Sequence, residues 1–258
     1  MAFAVLAPTF IAACSSQERA TPTSTTSGGG PTSPFPDTSA PTTTTTAPGP
    51  AHPGDGDTGG TTPAALTWAR ADLGFVSAYV LARGTEVAIV DTGVAGSADD
   101  IGQTLAGIGL DYGNVTHVVL THLHPDHAGS IMEVMAQAPH ATAYAGTDDI
   151  GGIDFDPITA ADDGDEIFGL EVVATPGHTS GHISVIDHAA GILVAGDALN
   201  TAGGGVQGPN PDFSIDIDLA NQSAKRLAEL SFNTLLAGHG DPVEERADTA
   251  VVALAASL

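Results

Sequence analysis

The stretch "THLHPDHAGS", residues 121–130, sets His122, His124, Asp126 and His127 close together, directly after the apolar run "VTHVVL". Imidazole nitrogens and carboxylate oxygens are donors for zinc, iron or manganese. Such groups cost free energy at the end of a buried strand unless something pairs them. The same arrangement recurs along the chain: His178 follows "LEVVATPG", Asp197 follows "ILVAG" and His239 follows "TLLAG". Each apolar run is followed, just past a Gly or Thr, by a potential ligand. Strands ending at one sheet edge would bring all these side chains together. Five imidazoles and two carboxylates exceed what one tetrahedral ion needs. They suit two ions that share a carboxylate and a water, as in two-metal hydrolytic sites. Zinc fits this N/O donor set, with iron or manganese as alternatives under other supply conditions. Such ions lower the pKa of water toward ~7 and make hydroxide available at neutral pH. One strand-end histidine alone would read as a capped or surface imidazole; the cluster with three further strand-end donors does not.

The elements that must position these residues follow from the apolar patterning. "FVSAYVLARGTEVAIVD" (75–91) predicts two strands around a turn at Arg83-Gly84. "SADDIGQTLAGIGL" predicts a helix capped by Ser97, with Ile101, Leu105 and Ile108 on one face. "VTHVVL" (115–120), "LEVVAT" (170–175), "HISVID" (182–187), "GILVAG" (191–196) and "NTLLAG" (233–238) predict strands. "AGSIMEVMAQA" (128–138) predicts a short helix, and "DLANQSAKRLAEL" another with Ala220, Ala224 and Leu227 aligned. In "DPVEERADTAVVALAASL" Asp241 is the expected N-cap, Pro242 sits at the first helical position, and Val243, Ala247, Ala250, Val251 and Leu254 form the apolar face. Hairpin-linked and helix-linked strands together imply a mixed α/β domain whose sheets are covered by helices.

Composition divides the chain. Residues 15–65 are mostly Thr, Pro, Ser and Gly, which bury too little surface to offset their ordering entropy, so an extended, mobile linker is expected there. Residues 66–258 form the expected catalytic domain, long enough for one sizeable core. From residue 66 onward 27 acidic side chains face 5 basic ones, a net charge of −22. That surface repels nucleic acid, whose binding needs basic residues; the expected partner is a small-molecule substrate. Residues 1–14, "MAFAVLAPTFIAAC", are apolar but too short to span a bilayer as a helix. Their "IAAC" resembles the lipobox of bacterial lipoprotein signal peptides, although no Lys or Arg precedes the apolar stretch. The resemblance implies a lipid anchor at Cys14 as the sole membrane attachment, holding the domain on the outer face of a bacterial plasma membrane. A cytoplasmic protein with an apolar N-terminus is the alternative. One cysteine permits no internal disulfide.

"THLHPDHAGS" resembles the signature of the metallo-β-lactamase superfamily. "VDTG" (90–93), "TPGHTSGH" (175–182), "AGDAL" (195–199) and "AGHG" (237–240) match its other motifs in order. The resemblance implies a four-layer αββα sandwich with the metals at one edge between the sheets. It implies that His122, His124 and His178 hold one metal, that Asp126, His127 and His239 hold a second, and that Asp197 bridges them. Asp91 would orient a ligand from the preceding hairpin; turn chemistry before Gly93 accounts for it equally well. His182 is expected to be structural, His117, His140 and His188 to be surface or packing residues, and His52 lies in the linker. Asp197 argues against a true β-lactamase, since those enzymes lack the bridging aspartate. "TPGHTSGH" and "GDAL" look more like glyoxalase II and the lactonases. Against a glutathione thioester, only Lys225 and Arg226 cluster as cations; against a lactonase, Asn200 stands where a Tyr is expected. The expected activity is dinuclear zinc hydrolysis of an ester, thioester, lactone or amide by attack of metal-bound hydroxide, with Asp126 handling the proton. A mononuclear iron dioxygenase acting on persulfides is the alternative on the same fold. The Gly-rich segment 200–217 is either the mouth of the site or a plain connection.

Overall fold

Along "SAYVLA" and "EVAIV" nearly every residue is apolar, because these strands are buried on both faces and alternate residues serve different cores. In the computed structural model, which describes residues 64–258, β1 (Leu66–Asp72), β2 (Ser77–Arg83) and β3 (Glu86–Val90) form an antiparallel run. Then β4 (Val115–Leu120), β5 (Thr142–Gly146) and β6 (Thr159–Ala161) add in parallel, giving a sheet ordered β1-β2-β3-β4-β5-β6. The second sheet is ordered β11-β10-β9-β8-β7, from β7 (Glu166–Ile167), β8 (Leu170–Ala174), β9 (Ile183–Asp187), β10 (Ile192–Gly196) and β11 (Thr234–Ala237). It is antiparallel except for the β10–β11 pair. The predicted signal segment with Cys14, and the linker up to residue 63, lie outside the described residues.

Three separate cores follow from the alternation and define four layers. Val87 and Ile89 pack outward with Ile101 and Leu105 of α1 (Ala98–Gly107) and with Ile131 and Val134 of α3 (Ile131–Gln137). Ala88, Val90, Tyr79 and Leu81 face inward and meet Val172, Val185, Val194 and Leu236 of the second sheet. The outer face of that sheet, Leu193, Ile186 and Leu235, is covered by Ala224 and Leu227 of α4 (Ile217–Leu227) and Val251 of α5 (Ala247–Ala255). This is the αββα arrangement expected from the motifs. Among the described residues no helix is long and apolar enough to cross a membrane.

Several local expectations are corrected. Ile108 is 43% exposed, because α1 stops at Gly107 and Gly109, at φ +78°, turns the chain away. Ser97 stands at the N-cap but makes no side-chain cap; its own N–H donates to Ser130 Oγ at 2.8 Å. The short helix expected over 128–138 is α3, which starts later, at Ile131; Ala128 ends a separate turn, α2 (Pro125–Ala128), and the chain breaks at Gly129-Ser130. A Cβ on Gly129 would lie 2.7 Å from the Ala95 nitrogen, so the chain passes there only as glycine. Asp241 and Pro242 do not start the last helix. Val243 instead pairs by backbone with Leu235 in both directions, and α5 begins after Arg246, at φ +54°. Pairing to the edge of β11 overrides the local helix signal there. Strands β1, β5, β6 and β7 escaped the sequence reading: β1 carries charges at a sheet edge, and the others are short or alanine-rich.

Candidate metal centre

The carboxyl ends of β3, β4, β8, β10 and β11 lie at one edge of the sandwich, and each delivers a polar residue there. Backbone hydrogen bonds stitch the two sheets together at this edge: Ile183 N to Thr121 O (2.9 Å) and Ser77 N to Gly238 O (2.9 Å). An irregularity in the β10–β11 pairing between Val194 and Gly196 re-aims the chain just before Asp197. Pro125, at the first position of α2, starts a single turn that swings Asp126 and His127 back over the edge.

The seven expected ligands are brought together. His124 Nδ1 lies 3.0 Å from both His122 Nε2 and His178 Nε2. Asp126, His127 and His239 form a second group, with His239 Nε2 at 3.4 Å from Asp126 Oδ2. Asp197 sits between the groups. Its Oδ2 is 3.4 Å from His178 Nε2 and 3.2 Å from His239 Nε2, and its Oδ1 is 3.3 Å from His127 Nε2.

The outward nitrogens are fixed by neighbours. His127 Nδ1 donates to Asp91 Oδ2 (2.8 Å), and Asp91 Oδ1 accepts the Thr121 N–H (2.8 Å). Asp91 holds this position at φ +63°, a conformation Asp tolerates better than most residues. Thr121 Oγ1 donates to Asp91, so it accepts from His122 Nδ1 at 3.1 Å. His239 Nδ1 donates to the Phe75 carbonyl at 2.7 Å, and His178 Nδ1 lies 3.3 Å from Ser214 Oγ. With Nδ1 of each ring engaged outward, Nε2 of His122, His127, His178 and His239 is the atom left facing inward.

The electrostatics divide the imidazoles: His122 and His178 are held down, whereas His127 and His239 move up, the latter through its hydrogen bond to Asp197. Burial, with His127 and His182 as further causes, holds His122 well below the usual imidazole range. Burial likewise brings His178 down to about 4. For His127 burial acts downward, but Asp197 and Asp91 outweigh it and the net direction is up. Asp197 stays ionised against its burial because His127 and the other imidazoles surround it.

A cation fits this donor set. Three imidazole nitrogens crowd together here, with His124 Nδ1 3.0 Å from both His122 Nε2 and His178 Nε2. Tetrahedral bonding at ~2.0–2.1 Å would call for nitrogens roughly 3.3 Å apart, a small adjustment from the spacing seen. Asp197 Oδ1 is buried without a hydrogen bond, an orphan that a metal would satisfy.

Other histidines are placed elsewhere. His182 is buried beside the site but faces away from it: its Nε2 accepts the Asp197 N–H (3.0 Å), so its proton sits on Nδ1 and is donated to Thr175 Oγ1 (2.7 Å). Burial brings its pKa down to about 3. His117 stacks on Tyr144, His188 pairs with Glu171 at the surface, and His140 is exposed. Segment 200–217 contributes Asn200, Ala202, Asn210 and Phe213 to the cavity over the metal groups, so it lines the site. A larger cavity, around Trp68, His117 and Phe168, lies by the opposite strand ends and contains none of the ligand set.

Sequence reasoning missed two supports. One is the Phe75 carbonyl that orients His239. The other is Asp149, fully buried, whose carboxylate accepts from Leu123 N (3.0 Å), Thr179 Oγ1 (2.6 Å) and Gly181 N (2.7 Å). Leu123 lies between His122 and His124, and Thr179 adjoins His178, so Asp149 clamps the two loops that supply the first group. Nothing in "GTDDIGG" separates it from its exposed neighbour Asp148. Asp149→Asn forfeits one acceptor and is expected to weaken metal affinity by ~10–100-fold, as loss of a residue that orients metal ligands does. Competition against a chromogenic chelator measures this; wild-type affinity would show that the clamp does not govern metal binding.

The chain was compared with known proteins. A sequence model of the metallo-beta-lactamase superfamily matches residues 71–239. YobT of Bacillus subtilis is 31% identical over 196 residues, covering 64% of this chain and 83% of YobT. A hydroxyacylglutathione hydrolase of Aeromonas hydrophila is 37% identical over 150 residues, 55% of this chain. The match spans about half of that relative's length, 52%. Among solved structures, the metallo-beta-lactamase family protein TTHA1429 from Thermus thermophilus superposes with a TM-score of 0.60 at 23% identity, over 74% of this chain and 78% of that one. That likeness is one of fold.

Proposed function

Because the chain belongs to the metallo-beta-lactamase superfamily, we propose that it is a metal-dependent hydrolase that holds two zinc ions and cleaves an ester, thioester, lactone or amide. The observation that carries the reading is Asp197, whose buried carboxylate stands where the ligand clusters meet, in one group with His122 and His127, and leaves Oδ1 without a hydrogen bond. His122, His124 and His178 would hold one ion, Asp126, His127 and His239 the other, and Asp197 would serve both. Bound ions would supply Lewis-acid polarisation of a carbonyl and a lowered pKa for water.

The chain's own residues supply the rest. Asp91, Thr121 and the Phe75 carbonyl fix ring orientation by holding Nδ1, so Nε2 is the atom each ring presents inward. Asp126 lines the cavity, partly exposed beside His239, where it can take a proton and pass it to a leaving group. The Aeromonas relative's name supports thioesters within the proposed class; the partial coverage leaves its glutathione substrate with that protein.

Elemental analysis of protein purified without added metal tests the reading. About two zinc ions per chain are expected. One iron per chain would replace it with the persulfide dioxygenase alternative.

A further inference from the structure

The cavity over the metal groups holds about 530 Å³, within the range of sites for small organic molecules. Two phenylalanines on different loops frame it. Phe75, at the tip of the turn between β1 and β2, stacks on the His239 ring (centroids 6.1 Å apart, planes at 12°). Phe213 comes from the loop before α4. Both are largely exposed, at 64% and 65%. Large apolar side chains held in water at a cavity mouth are surface that an apolar ligand would cover.

The polar lining outside the metal groups is neutral, from the amides of Asn200 and Asn210. No lysine or arginine among the described residues lines the cavity. Of the five basic side chains from residue 66 onward, Arg70, Arg83 and Arg226 are engaged by Asp241, Asp187 and Asp163. Lys225 lies in the last turn of α4, and Arg246 precedes α5. A substrate bearing free carboxylates would meet no countercharge from these side chains and would approach a domain whose net charge of −22 two divalent ions would bring only to −18 (−22 + 4).

Resting on the hydrolase reading, we infer that the substrate is an acyl compound uncharged on both sides of its scissile carbonyl, with an apolar portion seated between Phe75 and Phe213.

Matched thioesters carrying one hexanoyl group, on N-acetylcysteamine (uncharged) or on glutathione (two carboxylates), test the charge requirement in full-length protein of measured metal content. The uncharged thioester is expected to have the higher kcat/KM, by at least about tenfold, and the gap should widen as ionic strength falls and screening weakens. Phe213→Ala should lower kcat/KM about tenfold for the hexanoyl thioester and by a clearly smaller factor for the acetyl one, in proportion to the apolar surface each acyl chain can cover. Phe213→Leu should restore part of the difference. Equal or faster cleavage of the glutathione thioester, or an equal loss on acetyl and hexanoyl substrates, overturns the inference while leaving the hydrolase intact. Fully metallated protein that cleaves neither thioester, nor an ester, lactone or amide, overturns the hydrolase reading itself.

Discussion

Replacing Asp197 by Ala is expected to abolish turnover and to leave the protein short of metal. Its carboxylate lies within 3.2–3.4 Å of ligand nitrogens from both groups. Losing it removes a negative charge from between two sites meant for divalent cations, so occupancy of both should fall. Metal catalysis supplies several kcal/mol of transition-state stabilisation, and each ~1.4 kcal/mol is a factor of ten in rate. A fall of at least ~10³-fold in kcat/KM is therefore expected. Asp197→Asn keeps the shape and removes the charge; it should also lose metal, which separates an electrostatic role from a packing one. Elemental analysis beside turnover reads both effects. An Asp197→Ala protein with two metals and wild-type activity would eliminate the bridging role.

Gly238→Ala is the second large effect, and it probes the backbone instead of a ligand. A Cβ there would collide with Asp197 Oδ1 and stand 2.6 Å from His127 Cε1. The main chain cannot give way easily, because Gly238 N donates to Gly196 O (3.0 Å) and Gly238 O accepts from Ser77 N (2.9 Å), tying both sheets together at this residue. One methyl group would therefore displace Asp197 and His127, the carboxylate between the groups and a ligand of the second. Overpacking of this kind costs roughly 1–3 kcal/mol, and metal affinity should fall by more than the ~10–100-fold that loss of a ligand-orienting residue causes. Thermal melts with and without zinc measure the two effects separately. A variant with wild-type melting and zinc dependence would show that the backbone relaxes where the two sheets hold it.

All seven ligand candidates, and a mixed α/β domain with helix-covered sheets, were legible in the sequence for a local reason, whereas the four-layer order came from the resemblance of the motifs to a family. A strand buried on both faces is a short apolar run, so a polar residue directly after it marks the strand's end, and doubly buried strands with helices between them imply covered sheets. The period of two in "EVAIV" and the spacing of Ala220, Ala224 and Leu227 are properties of short segments, set by backbone geometry. The supports of the site are not local. Asp149 reaches the histidine loops across 26 to 32 residues, and Phe75 reaches His239 across 164. The identity of such a residue carries no mark of its partner: Asp148 and Asp149 are alike in sequence, and only the packing of the 3₁₀ turn after β5 against Gly181 buries one and exposes the other. The same holds at the C-terminal end, where "DPVEER" has a helix-start pattern yet Val243 lies alongside β11, because an open strand edge offers its backbone better hydrogen bonds than a first helical turn could. Local sequence thus determined which groups can bind metal and which strands end beside them. Tertiary packing decided which nitrogen each imidazole presents inward, which carboxylate clamps the loops, and how apolar a mouth lies above them.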